Sequence, residues 1–296
     1  MPALPPQIEF YRAPDGRRLA VRVWRTAEPP RGRVVFLHGI TSHGGWYSRS
    51  CQFLAQAGLE VHFLDRRGAG LNVESPGDVD NWQTWIDDVA IYLRKFTERA
   101  ILSAPCSLLP APILCGVSWG GKLAVAVARQ HPELLGGLGL VCPGLFSYQE
   151  PGLLKRMALA APLPARMAQR HVKIPLGDPA LFIDDRRGQS FIAADPLALR
   201  SITLRSAKAD RGLTRFARQA APYLHMPILL MLAGRDRIVS NRRTRAFLTR
   251  TSGHKTLIEF PNATHTLEFE PDPQPYFRDL TNWIKAALHP GGQECC

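Results

Sequence analysis

The sequence holds no apolar run long enough to cross a bilayer, so a helical membrane protein is not expected. Its opening stretch, MPALPPQIEF, has no apolar h-region, and no secretory signal is expected there. Cysteine is scarce: Cys51, Cys106, Cys115, Cys142, Cys295 and Cys296 are the only six, and none stands at metal-ligand spacing. Cys115 and Cys142 lie in apolar, strand-like runs and read as small core residues of a reduced compartment. P-loop, dinucleotide-binding and HExxH patterns are missing, as are internal repeats and low-complexity tracts. The absences point to a soluble, cytoplasmic protein that needs no metal or cofactor.

Acidic residues are also in deficit. Lys and Arg number 37 against 25 Asp and Glu, a formal charge of +12. That balance suits an anionic partner, yet the basic residues are scattered rather than gathered in a tail, and no nucleic-acid motif accompanies them. No nucleic-acid partner is expected. Local enrichment occurs only over 155–173 and 235–250.

What is present is organised around Gly116-Val117-Ser118-Trp119-Gly120-Gly121. The apolar run Ile113–Val117 precedes it and a helical pattern beginning at Lys122 follows. Gly-x-Ser-x-Gly between strand and helix is the spacing of a nucleophile elbow, where small residues let strand and helix approach closely. The competing reading is a glycine-rich structural turn.

The rest of the chain supplies strands around this one. Gln7–Tyr11 and Leu19–Trp24 alternate as half-buried strands joined by the turn Pro14-Asp15-Gly16. Continuous apolar runs at 33–37, 61–64, 138–142 and 227–232 read as strands buried on both faces. Thr256–Phe260 is the last strand. Helical patterns span Trp46–Gln56, with Gly58 as C-cap, Trp82–Phe96, Ala124–Gln130 and Pro275–Leu288. Alternating strand and helix predict an α/β fold with a mostly parallel sheet and helices on both faces. The rhythm breaks between Pro143 and about Pro222, which predicts an inserted helical cap (143–222) on a core of 1–142 and 223–290. Leu153–Ala160 forms an amphipathic pattern within it. Residues 291–296 are expected to be a disordered tail.

A serine hydroxyl needs a base, and the base an orienting acid. Asp236 and His265 each follow a strand by a few residues, in the chain order Ser, Asp, His that elbows use. Asp236 could instead pair with Arg235 or Arg237 on the surface, and His265 could be a capping or surface histidine. The N–H groups of Ile40 and Trp119 are the candidate oxyanion donors, with His38 ordering the loop before Ile40. Trp46 and Trp119 could line an acyl pocket or merely pack.

Together these residues resemble the α/β-hydrolase superfamily, and within it the monoacylglycerol lipase and lysophospholipase-like, serine aminopeptidase S33-type group. The resemblance rests on Val35-Phe36-Leu37-His38-Gly39, Asp65-x-Arg67-Gly68-x-Gly70, the elbow, Ala233-Gly234-x-Asp236-x-Ile238-Val239 and His265. It departs at Asn72, where the group usually has Ser, and at Trp119, where its lipases usually have Met. The resemblance implies a serine hydrolase of carboxylic esters, with a monoacylglycerol or lysophospholipid-like acyl ester as substrate. The insertion would map to that group's cap, whose basic and apolar residues suit contact with an anionic lipid surface. A peptidase or small-ester carboxylesterase on the same triad, and a non-catalytic binding protein on a hydrolase scaffold, are the alternatives.

Overall fold

The computed structural model describes residues 5–102, 109–149, 152 and 164–289. Ten strands run along the described chain: β1 (Gln7–Arg12), β2 (Arg18–Trp24), β3 (Gly32–Leu37), β4 (Leu59–Leu64), β5 (Ile113–Val117), β6 (Gly137–Val141), β7 (His171–Lys173), β8 (Ser201–Thr203), β9 (Ile228–Ala233) and β10 (Lys255–Phe260). Eight of them form one sheet in the order β1-β2-β4-β3-β5-β6-β9-β10, and β7 and β8 make a separate antiparallel pair. The β1–β2 and β2–β4 pairings are antiparallel and the remaining five in the sheet are parallel.

The apolar runs lie at the centre of this sheet because side chains alternate between its two faces and both faces are covered. In β9, Ile228, Leu230 and Leu232 join one core cluster while Leu229, Met231 and Ala233 join the other. In β3, Val35 and Leu37 face the first cluster and Val34 and Phe36 the second. The helices α1 (Ser48–Gln56), α2 (Trp82–Leu102) and α3 (Trp119–Gln130) are the first three. They are followed by α4 (Ala165–Ala168), α5 (Arg186–Ala194), α6 (Leu204–Arg218), α7 (Asn241–Leu248) and α8 (Gln274–Leu288). Cys51 and Leu54 of α1 pack with Phe277, Leu280 and Ile284 of α8 on the second cluster. Ile86 and Leu93 of α2, Leu123 and Val127 of α3 and Leu213 of α6 pack on the first.

Two local expectations are corrected. Trp46–Gln56 is not one helix: a 3₁₀ turn, Gly44–Tyr47, leads into α1. Strand β2 is buried rather than half-buried, because β1 and β4 flank it while Val21, Val23 and Trp24 lie under helices on either face. Exposure falls instead on the edge strands β1 and β10, which carry Glu9, Arg12, Lys255 and Glu259. Charged side chains there discourage pairing with another chain's edge.

The loops at the carboxyl ends of β3, β4, β5, β9 and β10 open on one rim of the sheet, where ligands bind in open α/β folds. Between β6 and β9 the described chain has no strand of the main sheet, only α4, the β7–β8 pair, α5, α6 and the 3₁₀ turns Pro179–Leu181 and Ala221–Tyr223. Leu153–Ala160 and residues 291–296 lie outside the described residues.

Candidate active site

Ser118 stands where β5 gives way to α3, with φ +52° and ψ −121°. A non-glycine residue is held at positive φ only when its surroundings fix it. Here the Ser118 N–H donates to Val141 O at 2.9 Å, and its carbonyl accepts from Gly121 at 2.9 Å and Gly144 at 2.6 Å. The flanking glycines are required by close approach. A Cβ on Gly120 would lie 2.2 Å from Leu37 O, and one on Gly116 would lie 2.4 Å from Gly120 O. The turn is therefore an elbow in the geometric sense, with a nearly buried hydroxyl at its tip.

The structure brings the three candidate side chains into line. His265 Nε2 is 2.9 Å from Ser118 Oγ, and His265 Nδ1 is 2.7 Å from Asp236 Oδ2. Asp236 Oδ1 accepts the N–H groups of Ile238 at 2.8 Å and Val239 at 2.9 Å. With its carboxylate oriented this way, the histidine donates from Nδ1 and presents the Nε2 lone pair to the serine hydroxyl. Among the described residues Arg235 and Arg237 do not engage Asp236; both pair with Asp184, from the chain between β6 and β9, each at 2.7 Å. The edge of the Phe182 ring closes on the His265 imidazole at 6.1 Å, and Phe182 O accepts the Thr266 N–H at 3.0 Å.

The two candidate oxyanion amides flank Ser118. Trp119 opens α3, and a Cβ on Gly39, the residue before Ile40, would lie 3.7 Å from Ser118 Oγ. Among the described residues neither the Ile40 nor the Trp119 N–H donates to a protein acceptor. His38 is buried beside them, and burial holds its pKa well below the usual imidazole range. Its Nε2 accepts the Arg66 N–H at 3.0 Å, leaving Nδ1 to donate to Gly39 O at 2.8 Å. That bonding orders the loop, in agreement with the sequence reading. Trp46 is buried in an aromatic cluster with Phe182, Phe191 and Phe269.

Several participants were not foreseen. Arg66 donates to Gly39 O at 2.8 Å and to Ile40 O, and it stacks over the Trp119 ring at 4.7 Å. The Trp119 indole N–H donates to Asp210 at 2.5 Å, and Lys122 Nζ reaches the same oxygen at 2.6 Å. Asp195 accepts the Trp46 indole N–H at 2.5 Å and faces His43 Nε2 at 3.1 Å. Asn72 does what a serine is too short to do. Its carbonyl accepts the Ala20 N–H at 2.8 Å while its amide donates to Asp65 O at 2.5 Å and Arg66 O at 3.2 Å. Arg67 grips Asp88 through two bonds of 2.8 and 2.7 Å and pairs also with Asp15. Cys115 and Cys142 are both core residues as read, and Cys142 (φ +44°) also places its sulfur beside Asp236.

Potential metal-ligand atoms of Cys142, Asp236 and His265 fall within 4.8 Å of one another. The two ring and carboxylate atoms nearest each other are already hydrogen-bonded, and burial pushes the thiol pKa well above its usual range. A neutral thiol is a poor metal ligand. The donor set suits proton transfer better than metal binding.

Residues 28–272 match the family model described as Serine aminopeptidase, S33. The chain is 25% identical to the monoacylglycerol lipase of Mycolicibacterium smegmatis over 92% of its own length and 95% of that protein. It is 23% identical to the human monoglyceride lipase, covering 91% of this chain and 88% of that one. Among solved structures, the Saccharomyces cerevisiae monoglyceride lipase in complex with a substrate analogue superposes with a TM-score of 0.81 at 20% identity, over 97% of each chain. The Paleococcus ferrophilus monoacylglycerol lipase gives 0.79 at 22% identity, over 92% of this chain and all of that one. The shared architecture is the α/β-hydrolase fold.

Proposed function

The chain belongs to the serine aminopeptidase S33 family, and from that premise we propose that it hydrolyses carboxylic esters, with a monoacylglycerol or lysophospholipid-like ester as substrate. The observation that carries this reading is the line of hydrogen bonds from Ser118 through His265 to Asp236. Ser118 Oγ attacks the ester carbonyl as His265 Nε2 takes its proton. Asp236 holds the imidazole and stabilises the imidazolium that forms. The carbonyl oxygen, now negative, meets the N–H groups of Ile40 and Trp119. His265 returns its proton to the departing alcohol, and water releases the acyl group by the same steps in reverse order of roles.

The substrate class is supported by the relatives, which are monoacylglycerol and monoglyceride lipases. The insertion favours an ester over a free-amine substrate, since an ammonium group calls for a spare carboxylate. Asp195 is taken by His43 and Trp46, and Asp210 by Trp119 and Lys122. Residues 143–222 act as the cap over the site, and Phe182 already reaches His265 from it. No helix among the described residues is long and apolar enough to cross a membrane. Membrane contact in this reading is peripheral and the protein cytoplasmic. It is supported by exposed Met167 and Val172 beside Arg166, Arg170 and Lys173.

A fluorophosphonate probe and a panel of glycerol esters of graded acyl length test the proposal. Labelling of the wild type but not of Ser118→Ala, with turnover that rises beyond short acyl chains, is expected. Labelling of both proteins, or turnover of amides alone, overturns it.

A further inference from the structure

One buried cation lies against the oxyanion loop and has no part in the proton relay. Arg66 follows Asp65 at the carboxyl end of β4, and its side chain turns back toward the loop after β3. Only 8% of the residue is exposed. Burial draws the guanidinium down to about 10, so it remains charged at neutral pH. Among the described residues no carboxylate comes within ion-pair range of it; its side chain meets the carbonyls of Gly39 and Ile40, the Trp119 ring and, at 3.0 Å, His38 Nδ1, which shares the Gly39 oxygen with it. A buried charge held this way is costly, and it raises the question of what it does.

The carbonyl of Gly39 and the N–H of Ile40 belong to one planar trans peptide, so they point in opposite directions. Fixing the oxygen therefore aims the hydrogen. Two donors converge on that oxygen, Arg66 Nη1 at 2.8 Å and His38 Nδ1 at 2.8 Å. Arg66 Nη2 holds the next carbonyl, that of Ile40. The Arg66 main chain is pinned as well: its N–H donates to His38 Nε2, and its carbonyl accepts from Asn72. A guanidinium presents donors in a rigid fork, which suits two successive carbonyls as an ammonium does not. Donors on a peptide oxygen also polarise its N–H, strengthening the bond that N–H makes in turn. The same guanidinium lies over the ring of Trp119, the residue that carries the second open amide.

We propose that Arg66 is a positioning residue for the oxyanion site, aiming and polarising the Ile40 N–H through the Gly39 carbonyl. The inference rests on the ester hydrolase reading above. It assigns Arg66 a share of transition-state stabilisation although the side chain touches no reacting atom. Ground-state binding of the substrate does not depend on it.

The test compares wild type, Arg66→Gln and Arg66→Lys on a short water-soluble ester. It adds the inhibition constant of a trifluoromethyl ketone, which forms a tetrahedral adduct on the serine, and a thermal melt of each protein. Arg66→Gln is expected to lower kcat roughly 10- to 100-fold with KM within about twofold, a loss of the size seen when an oxyanion donor is weakened. The ketone should lose affinity by the same factor. Arg66→Lys keeps the charge but spans only one carbonyl and should fall between the two. A folded Arg66→Gln with unchanged kcat, or one whose loss lies in KM with ketone affinity intact, overturns the inference. If Arg66→Gln does not fold, Arg66→Lys is read by the same criteria. Ser118→Ala is measured alongside. Retained turnover there removes the underlying reading of the site, whereas lost turnover with an indifferent Arg66 removes this inference alone.

Discussion

The Trp119 indole shares one carboxylate oxygen of Asp210 with the ammonium of Lys122, at 2.5 and 2.6 Å. Trp119 and Lys122 lie on the first turn of α3, while Asp210 comes from α6, 91 residues beyond the tryptophan. The pairing ties the segment before β9 to the residue next to the nucleophile. Lys122 is 5% exposed and Asp210 28%, so the ion pair is largely withdrawn from water.

Asp210→Ala should destabilise the fold by about 2–3 kcal/mol, because a buried ammonium then loses its countercharge. Removing the charge from both sides, in Asp210→Ala with Lys122→Met, should recover more than half of that. Urea unfolding of the two single variants and the double gives the coupling. Additive losses would mean that the pair contributes nothing as a pair.

Within the proton relay, Ser118→Ala and His265→Ala should each reduce kcat by at least about 10⁴-fold, and Asp236→Asn by about the same factor. The melting temperature of His265→Ala should stay close to that of the wild type. Near-normal turnover in that variant, with the loss appearing in a His43 or His38 variant, would move the base elsewhere.

Stability should depend on pH through Glu268, three residues after His265. The side chain is buried, accepts the Ser50 N–H at 2.9 Å, and leaves its other oxygen unbonded. Burial pushes its pKa up to about 7 from an ordinary 4.5. The folded protein therefore keeps a proton that the unfolded chain has released. Stability is full below about pH 4.5, falls as pH rises toward 7, and levels off above it. Buried His38 and His62, with lowered pKa values, act in the opposite sense at the acid end. Comparing Glu268→Gln with the wild type isolates the carboxyl: the variant's melting temperature should decline less between pH 5 and 8. Parallel curves would exclude it.

The exposed basic residues Arg166, Arg170 and Lys173, between β6 and β9, carry the expectation of lipid contact. Charge removal at Arg166, Arg170 and Lys173 should weaken binding to vesicles of anionic phospholipid by about fivefold per residue, since each is worth about 1 kcal/mol near such a surface. Added salt should shrink the difference. Equal binding to neutral and anionic vesicles, unaffected by the changes, would leave these residues as a solvated face.

Much of this was legible in the sequence because each piece has a local signature. The elbow strand, its glycines and its helix are adjacent, and Asp236 and His265 each sit just past an apolar strand. What escaped is what no local pattern encodes. Arg66 and Arg67 are neighbours, and the resemblance drew attention to Arg67, which turns out to hold Asp88 and Asp15. Asp210 and Asp195 reach the site from irregular or polar stretches far along the chain. Helix α7 has an Arg-rich sequence that read only as charge, although Phe247 and Leu248 anchor it to the core. The β7–β8 pair is three residues per strand, too short for any periodicity.

Helix α6 has a dual attachment. Leu213 and Ala217 are buried among α2 and α3, while Asp210 on the same helix holds the indole beside the nucleophile. A part fastened at so many points is a doorpost rather than a door. Helix α6 is a fixed frame beside Ser118, held to the core by Leu213 and Ala217 and to the nucleophile's neighbour by Asp210.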